Sequence, residues 1–225
     1  GTDLLDVACG PGYVAAAASA LGARSTGLDF APNMVRLASS NYPTLAFRQG
    51  DAEALPFEAG AFDAVTINFG ILHFPDADRA LAEAFRVLRP GGRLAFTAWA
   101  ESDRSAIAIA MAAITDHGRL DVDLPAGTPL FRFADHAECA RTLAGGGYRD
   151  VVSRDHELVW RLPRPFALME VFREATARLS GLLGAQDPEA LPKISAAMTA
   201  GCQRFVDGDL ALLPMPCVLT AAQKP

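Results

Sequence analysis

Asp3-Leu4-Leu5-Asp6-Val7-Ala8-Cys9-Gly10-Pro11-Gly12 is the stretch on which the fold turns. A short apolar run closed by glycine and proline reads as a buried strand feeding a tight turn. Tyr13 to Leu21 follows, rich in alanine, and predicts a helix that Gly22 stops. Glycines between a strand and a helix let the turn close and let a ligand approach the backbone. The free N–H groups at the helix start suit an anion such as a carboxylate or pyrophosphate. Taken alone the stretch is ambiguous. Gly10-x-Gly12-x-x-Ala15 also passes as a loose dinucleotide fingerprint, and a βα turn needs no ligand at all.

Working outward, the same unit recurs. Arg24 to Phe30 predicts a second strand with Asp29 at its end, and Pro32 opens a helix that continues through Ser40. Leu45 to Gln49 and Ala61 to Asn68 predict the third and fourth strands. Asp76 to Leu88 carries Ala80, Leu81, Ala84, Phe85 and Leu88 on one helical face, and Arg89-Pro90-Gly91-Gly92 ends it. Arg93 to Trp99 predicts a fifth strand. Alternation of strands and helices over short connections implies a doubly wound α/β sheet with right-handed crossovers. Residues 101–225 are less regular. Helices are expected over Ser105 to His117, Ala134 to Leu143, 166–183 and 188–205, with a linker at Asp121 to Thr128. Val151 to Leu162 is expected as one strand burying Val152, Leu158 and Trp160. Leu210 to Ala221 is expected as a last strand, at an edge or bulged, because Pro214 and Pro216 interrupt it.

Composition removes several classes of function. Hydrophobic residues make up 51% of the 225 and charged residues 20%, enough for a packed core and too apolar for a disordered chain. A net charge of -6 leaves no basic stripe for gripping phosphate backbones, so no nucleic-acid partner is expected. No apolar run reaches membrane-spanning length. Cys9, Cys139, Cys202 and Cys217 form no C-x-x-C pair, and no basic leader precedes Thr2, so a reducing, cytoplasmic setting is expected. His136 and His156 lack metal-ligand spacing, and no metal is predicted. The chain opens on Gly1 rather than methionine, which suggests residues upstream.

Two further acids stand at strand ends. Asp29 can accept from both hydroxyls of a ribose, or cap the next helix. Asp51, in Gly50-Asp51-Ala52-Glu53-Ala54-Leu55-Pro56-Phe57, can accept from an adenine amino group while the following N–H donates to the ring. With Asp6, these place three polar stations at the carboxyl edge of one sheet, where open α/β sheets bind ligands.

In order and spacing, these pieces resemble the class I S-adenosylmethionine-dependent methyltransferase domain. The resemblance covers residues 4 to 99. It rests on Leu4 to Gly12, Gly27-Leu28-Asp29-Phe30, Gly50 to Phe57, Phe62-Asp63-Ala64-Val65, Leu72-His73-Phe74 and Arg86-Val87-Leu88-Arg89-Pro90-Gly91-Gly92. The nearest kind is the small-molecule branch that includes ubiquinone and menaquinone methylases. The resemblance implies a seven-stranded Rossmann-like sheet with an antiparallel last strand and a helical insertion. Residues 1–100 would be the cofactor-binding half of a single domain, and 101–225 its substrate-side insertion and closing strands. The implied cofactor is S-adenosyl-L-methionine. Asp6 and Gly10 to Gly12 would line its methionine part. Ala8 would share that turn, where the family most often has glycine. Asp29 would hold the ribose, Phe30 and Met34 would pack on the adenine faces, and Asp51 and Ala52 would read the adenine edge. Asn68 and Phe69 would sit near the amino-acid portion and the transferred methyl.

The implied reaction is methyl transfer to a small aromatic or lipidic acceptor by in-line displacement. The Asn/Asp-Pro-Pro-aromatic motif of many base amino-methylases is absent from Asn68-Phe69-Gly70-Ile71. A base is needed only for an acceptor that must lose a proton, and the candidates are His73 and, behind it, Glu101. Trp99, Phe131, Phe133, Trp160, Phe166 and Phe172 either wall an apolar pocket or pack as core. An NAD-linked oxidoreductase on a related fold is an alternative, weakened by the lack of a Tyr/Lys or His/Asp catalytic pair. A non-catalytic nucleotide-binding protein on a degenerate fold is another, opposed by the intact acids at 29 and 51. Oligomeric state is left open, a homo-oligomer included.

Overall fold

A computed structural model describes residues 1–163 and 168–225 of the chain. They form two compact units, one of Gly1–Trp99, Gly127–Asp155 and Val218–Pro225, the other of Ala100–Ala126 and His156–Cys217.

The first unit is built on β1 (Asp3–Val7), β2 (Arg24–Asp29), β3 (Ala46–Gln49), β4 (Phe62–Asn68), β5 (Leu88–Trp99), β6 (Arg149–His156) and a last strand at Cys217–Gln223. These lie in one seven-stranded sheet, with the last strand between β5 and β6 and the others in the order β3-β2-β1-β4-β5. The β1–β2, β1–β4, β2–β3 and β4–β5 pairs are parallel. The last strand runs antiparallel: its end at Lys224 exchanges backbone hydrogen bonds of 2.9 Å with Gly91 and Gly92 at the beginning of β5. Crossover helices α1 (Tyr13–Ala20), α2 (Pro32–Asn41) and α3 (Ala77–Val87) make the parallel connections. The core holds Leu5, Val7, Leu28, Val65, Ile67, Leu94 and Phe96 from the strands, with Ala80, Leu81 and Ala84 of α3 against them. The amphipathic face of α3 therefore lies where its spacing predicts. Asp76 caps it by accepting from the Arg79 N–H at 3.0 Å. The helix stops one residue early. Leu88, expected at its end, is buried as the first residue of β5, and the β4–β5 register shifts between Phe62 and Ala64 to absorb Pro90-Gly91-Gly92.

The two long strands expected in the second half are each two. Val151 to Leu162 divides into β6 and β7 (Val159–Pro163), which belong to different sheets. Val152 is 50% and Leu158 40% exposed, against expectation. β6 is an edge strand whose inward phase runs through Val151 and Ser153, and Ser153 bonds Thr220 at 2.9 Å. A serine on the inward face hid the true register. Leu210 to Ala221 likewise divides. With β8 (Val206–Asp207), β9 (Leu210–Pro214) and β10 (Cys217–Gln223), the antiparallel sheet β7-β9-β8 is completed by β9, while β10 is the last strand of the large sheet. The prolines mark the change of sheet, since Pro216 has no N–H to continue a ladder.

In the second unit, helix α4 (Ala106–His117) is capped by Ser105, whose Oγ accepts from the Ala108 N–H at 3.0 Å. Between it and β6 in sequence lies α5 (His136–Gly145), part of the first unit. The helix expected over 166–183 is two, α6 (Leu168–Ala175) and α7 (Ala177–Gly184), separated by Thr176 in an extended conformation. Phe166 lies outside the described residues. The last helix is α8 (Leu191–Cys202). Gly201 allows it to approach α4: a Cβ there would come within 2.6 Å of Ile109. No helix of the described residues is long and apolar enough to cross a membrane.

The loop after β3 is pinned from α3. Glu83 accepts from the Leu55 N–H at 2.7 Å, while Arg86 donates to the Phe57 and Leu55 carbonyls at 2.8 and 2.9 Å and pairs with Glu83 at 2.7 Å. Arg86→Ala takes the cation from Glu83 and a donor from each of two carbonyls, of which only Leu55 keeps another, the Phe57 N–H, and should lower stability by about 1–3 kcal/mol in denaturant unfolding. The Arg86 guanidinium holds the Glu83 carboxyl below its ordinary value of 4.5. The difference between the parent and Arg86→Ala should therefore be complete above that pH and shrink as pH falls below it.

Candidate active site

The β1–α1 turn is made of left-handed residues. Ala8 has φ 54°, Gly10 φ 50° and Gly12 φ 89°. At Gly12 a side chain is also excluded by packing, since a Cβ would lie 2.8 Å from the Phe47 ring. Helix α1 starts on Gly12 with no side-chain cap. Ala8 carries a Cβ in this conformation, at a cost of about 1–2 kcal/mol. That Cβ bars a side chain at position 70, because a Cβ on Gly70 would come within 2.6 Å of it. Burial pushes the Cys9 thiol up to about 12, so it is a packing residue and no nucleophile.

Asp6 is 1% exposed. Its Oδ1 accepts from the Thr66 hydroxyl at 2.8 Å, and its Oδ2 has no hydrogen-bond partner. Burial raises its carboxyl to about 6, opposed by the Thr66 hydroxyl and the nearby Ala15 N–H and assisted by the Asp29 charge. Asp29 accepts from Gly10 N–H at 2.8 Å through Oδ2 and from Ala31 N–H at 2.9 Å through Oδ1. Its carbonyl accepts from Gly50 N–H at 3.0 Å. The Asp29 side chain is thus a tie between turns rather than the N-cap of α2, which is Ala31. Each oxygen keeps a lone pair for a further donor. Phe30 is 74% exposed, and Met34 37%. Asp51 is exposed and accepts from the Glu53 N–H at 2.9 Å, while Ala52 beside it is buried.

At the end of β4, Asn68 is exposed and Phe69 stands at φ 54°. Both are held by Thr97 of β5: its hydroxyl accepts from Phe69 N–H at 2.9 Å and donates to Asn68 Oδ1 at 2.8 Å. The Phe69 ring stacks on Trp99, with centroids 3.9 Å apart and planes 19° from parallel. His73 is exposed and closes a single 3-10 turn, Ile71–His73. Glu101 is exposed in the second unit.

Hydrogen bonds therefore join Gly10, Asp29 and the Gly50 turn directly, and Thr66 and Thr97 join Asp6, Asn68 and Phe69 to neighbouring strands. Two aromatic residues considered as pocket walls are core instead: Phe133 and Phe172 are 1% and 0% exposed. Trp160 lies 5.6 Å from Phe172, and Phe131 is half-buried. Thr66 and Thr97 were not singled out by sequence. Each is the registered partner of a residue that was, Thr66 of Asp6 and Thr97 of Asn68, so aligning the parallel strands would have found both. Among the described residues no group of three or more His, Cys, Asp or Glu could hold a metal ion.

Comparison with known proteins places this geometry. Residues 5–96 match the methyltransferase domain family. Over 97 residues the chain is 48% identical to a demethylmenaquinone methyltransferase of Thermus thermophilus, a match covering 40% of this chain and 44% of that protein. It is 43% identical over 112 residues to the ubiquinone/menaquinone biosynthesis C-methyltransferase UbiE of Rhizobium johnstonii, covering 46% of this chain and 43% of that one. The chain thus spans less than half the length of these curated relatives. In fold it resembles the YcgJ protein of Bacillus subtilis, with a TM-score of 0.63 and 18% identity over 99% of this chain and 92% of the other. Residues 5–96 are thus similar to methyltransferase domains, and the curated relatives they match include ubiquinone and menaquinone methyltransferases.

Proposed function

We propose that this protein transfers the methyl group of S-adenosyl-L-methionine to a small acceptor, aromatic or lipidic, by in-line displacement. The observation that carries this reading is Asp6, a buried carboxylate whose Oδ2 has no partner, beside a turn that Gly12 keeps free of side chains. Burying such an oxygen unpaired costs free energy, which a cationic or N–H-bearing ligand group at that turn would offset. The residues present fit the cofactor. Asp29 retains lone pairs for ribose hydroxyls, and Phe30 and Met34 offer exposed apolar surface for adenine. Asp51 and Ala52 would read the adenine edge. Asn68 and Phe69 would stand beside the amino-acid portion and the reacting methyl.

When bound, the cofactor supplies a methyl group on a positively charged sulfur. The rest falls to the chain. It fixes the donor through the three acids and the glycine turn, and it aligns the acceptor, an effect worth about 7–11 kcal/mol of barrier. Where the acceptor carries a proton on its nucleophilic atom, His73 is the candidate base. On this reading residues 1–100 supply the cofactor half, and 101–225 the substrate-side insertion and the closing strands of the same domain. The relatives' names point to a quinol-type ring as the acceptor, and the acidic chain favours a small molecule over nucleic acid.

Thermal unfolding with S-adenosylhomocysteine tests the reading. At about 100 times its dissociation constant the ligand should add about 2.7 kcal/mol, a rise of roughly 5–10 °C at this size. Asp29→Ala should remove most of that rise. A response to NAD with none to S-adenosylhomocysteine would falsify the proposal.

Asp6 gives a second test, with its own pH signature. Its folded pKa of about 6 lies above the ordinary 3.8. Its contribution is therefore fully present below the lower value and lost as pH rises through the upper one. Near pH 8 the ionised carboxylate weakens the ligand-free fold by about 3 kcal/mol at most. Asp6→Asn keeps the acceptor for Thr66 and should stabilise the ligand-free protein near pH 8 by about 1–3 kcal/mol. The gain should fade toward pH 4, and the variant should respond more weakly to S-adenosylhomocysteine. Equal stability of variant and parent across that range would show that Asp6 is not the titrating group.

A further inference from the structure

Among the described residues Phe69 is one of three other than glycine at positive φ, and it is the bulky one of the three. An aromatic residue in the left-handed region is strained and persists only where its surroundings over-determine it. Glycine would carry no such strain, and the chain places one immediately after, at Gly70. Two contacts impose the conformation. The Thr97 hydroxyl accepts from the Phe69 N–H, and its own hydrogen is committed to Asn68 Oδ1. Thr97 and Trp99 are two positions apart on β5, so they project from the same face of the strand. The residue that latches the Phe69 backbone therefore sits next to the residue on which the Phe69 ring stacks. The pair is also keyed to the β1 turn, because Gly70 packs against the Ala8 Cβ.

We propose that Thr97 is a positioning residue that fixes the Phe69–Trp99 pair as a flat aromatic wall, against which the ring of a planar quinol-type acceptor stacks. This rests on the function proposed above and adds to it a residue that orders the acceptor side. Both rings are half-buried, so the pair keeps accessible surface. A near-parallel pair presents a face of fixed direction, and offset stacking on such a face favours a planar aromatic ring over an aliphatic chain. Without the latch the Phe69 backbone is free to leave the left-handed region, and the wall loses its direction although both rings remain.

The chain has two tryptophans, so Trp160→Phe leaves Trp99 as the only one. In that background Trp99 emission is followed, with inner-filter correction, during titration with 1,4-naphthoquinol under reducing conditions and saturating S-adenosylhomocysteine. Calorimetry measures S-adenosylhomocysteine affinity separately. The expected result is saturable quenching, weakened about tenfold by Thr97→Val and largely restored by Thr97→Ser, which keeps the hydroxyl. Affinity for S-adenosylhomocysteine should stay within about twofold in Thr97→Ser; in Thr97→Val and Phe69→Leu it should fall by less than naphthoquinol affinity does, since Asn68 and Phe69 also border the cofactor on the reading above. Phe69→Leu removes the ring and keeps the backbone latch. It should weaken naphthoquinol binding as Thr97→Val does, and it carries the test if Thr97→Val fails to fold. Retained S-adenosylhomocysteine binding with no saturable quenching, or with equal naphthoquinol affinity in the parent, Thr97→Val and Phe69→Leu, would overturn this inference alone. Loss of S-adenosylhomocysteine binding in the parent would overturn the proposed function and this inference with it.

Discussion

One carboxylate at the end of β2 ties the candidate site together. Asp29 takes the Gly10 N–H on one oxygen and the Ala31 N–H on the other, while its carbonyl takes the Gly50 N–H. The turns after β1, β2 and β3 are thereby fixed to one another at a single residue. Such charge-assisted bonds to backbone N–H groups are stronger than neutral ones. They also leave lone pairs on both oxygens, so the same group can organise the loops and still meet a ligand. The parallel register makes this possible, because it brings the ends of β1, β2 and β3 side by side.

Acids at the opposite edge of the sheet serve a different purpose. Asp3 pairs with Arg24 and Arg89 at 2.7 and 3.0 Å, and Arg89 also reaches Asp63 at 2.7 Å. Those guanidiniums hold the Asp3 carboxyl down at about 2, while burial holds Asp6, three residues on, up at about 6. Two aspartates on one five-residue strand are thus driven in opposite directions, one by cations in solvent and one by loss of solvent. The first belongs to the architecture, and the second to the site proposed here.

The first hundred residues were legible because their elements are local. β1 is a short apolar run closed by Gly10-Pro11-Gly12, β2 ends on Asp29, β3 runs into Gly50-Asp51, and α3 has a clean apolar face. The second half was harder for identifiable reasons. Ser153 occupies an inward position and inverts the apparent alternation of β6. Met215-Pro216 joins strands of two sheets in a run that reads as one. Thr66 and Thr97 escaped notice because a hydroxyl acquires meaning only through its cross-strand partner, and single-strand periodicity carries no register between strands. Asp6, Asp29 and Asp51 were found because they end strands or precede turns. The partners of Asp29 and Asp51, at Gly10, Ala31 and Glu53, are backbone N–H groups that no side-chain pattern reveals.

Ala8 and Gly70 constrain how this chain can diverge. The methyl of Ala8 fills the space a side chain at 70 would need, so position 70 tolerates only glycine while position 8 keeps its methyl. Replacing Ala8 by glycine relieves a left-handed Cβ and opens that space at once. The reverse order passes through a clash between two adjoining loops. The path to a different residue at the β4 exit therefore begins in the turn between β1 and α1.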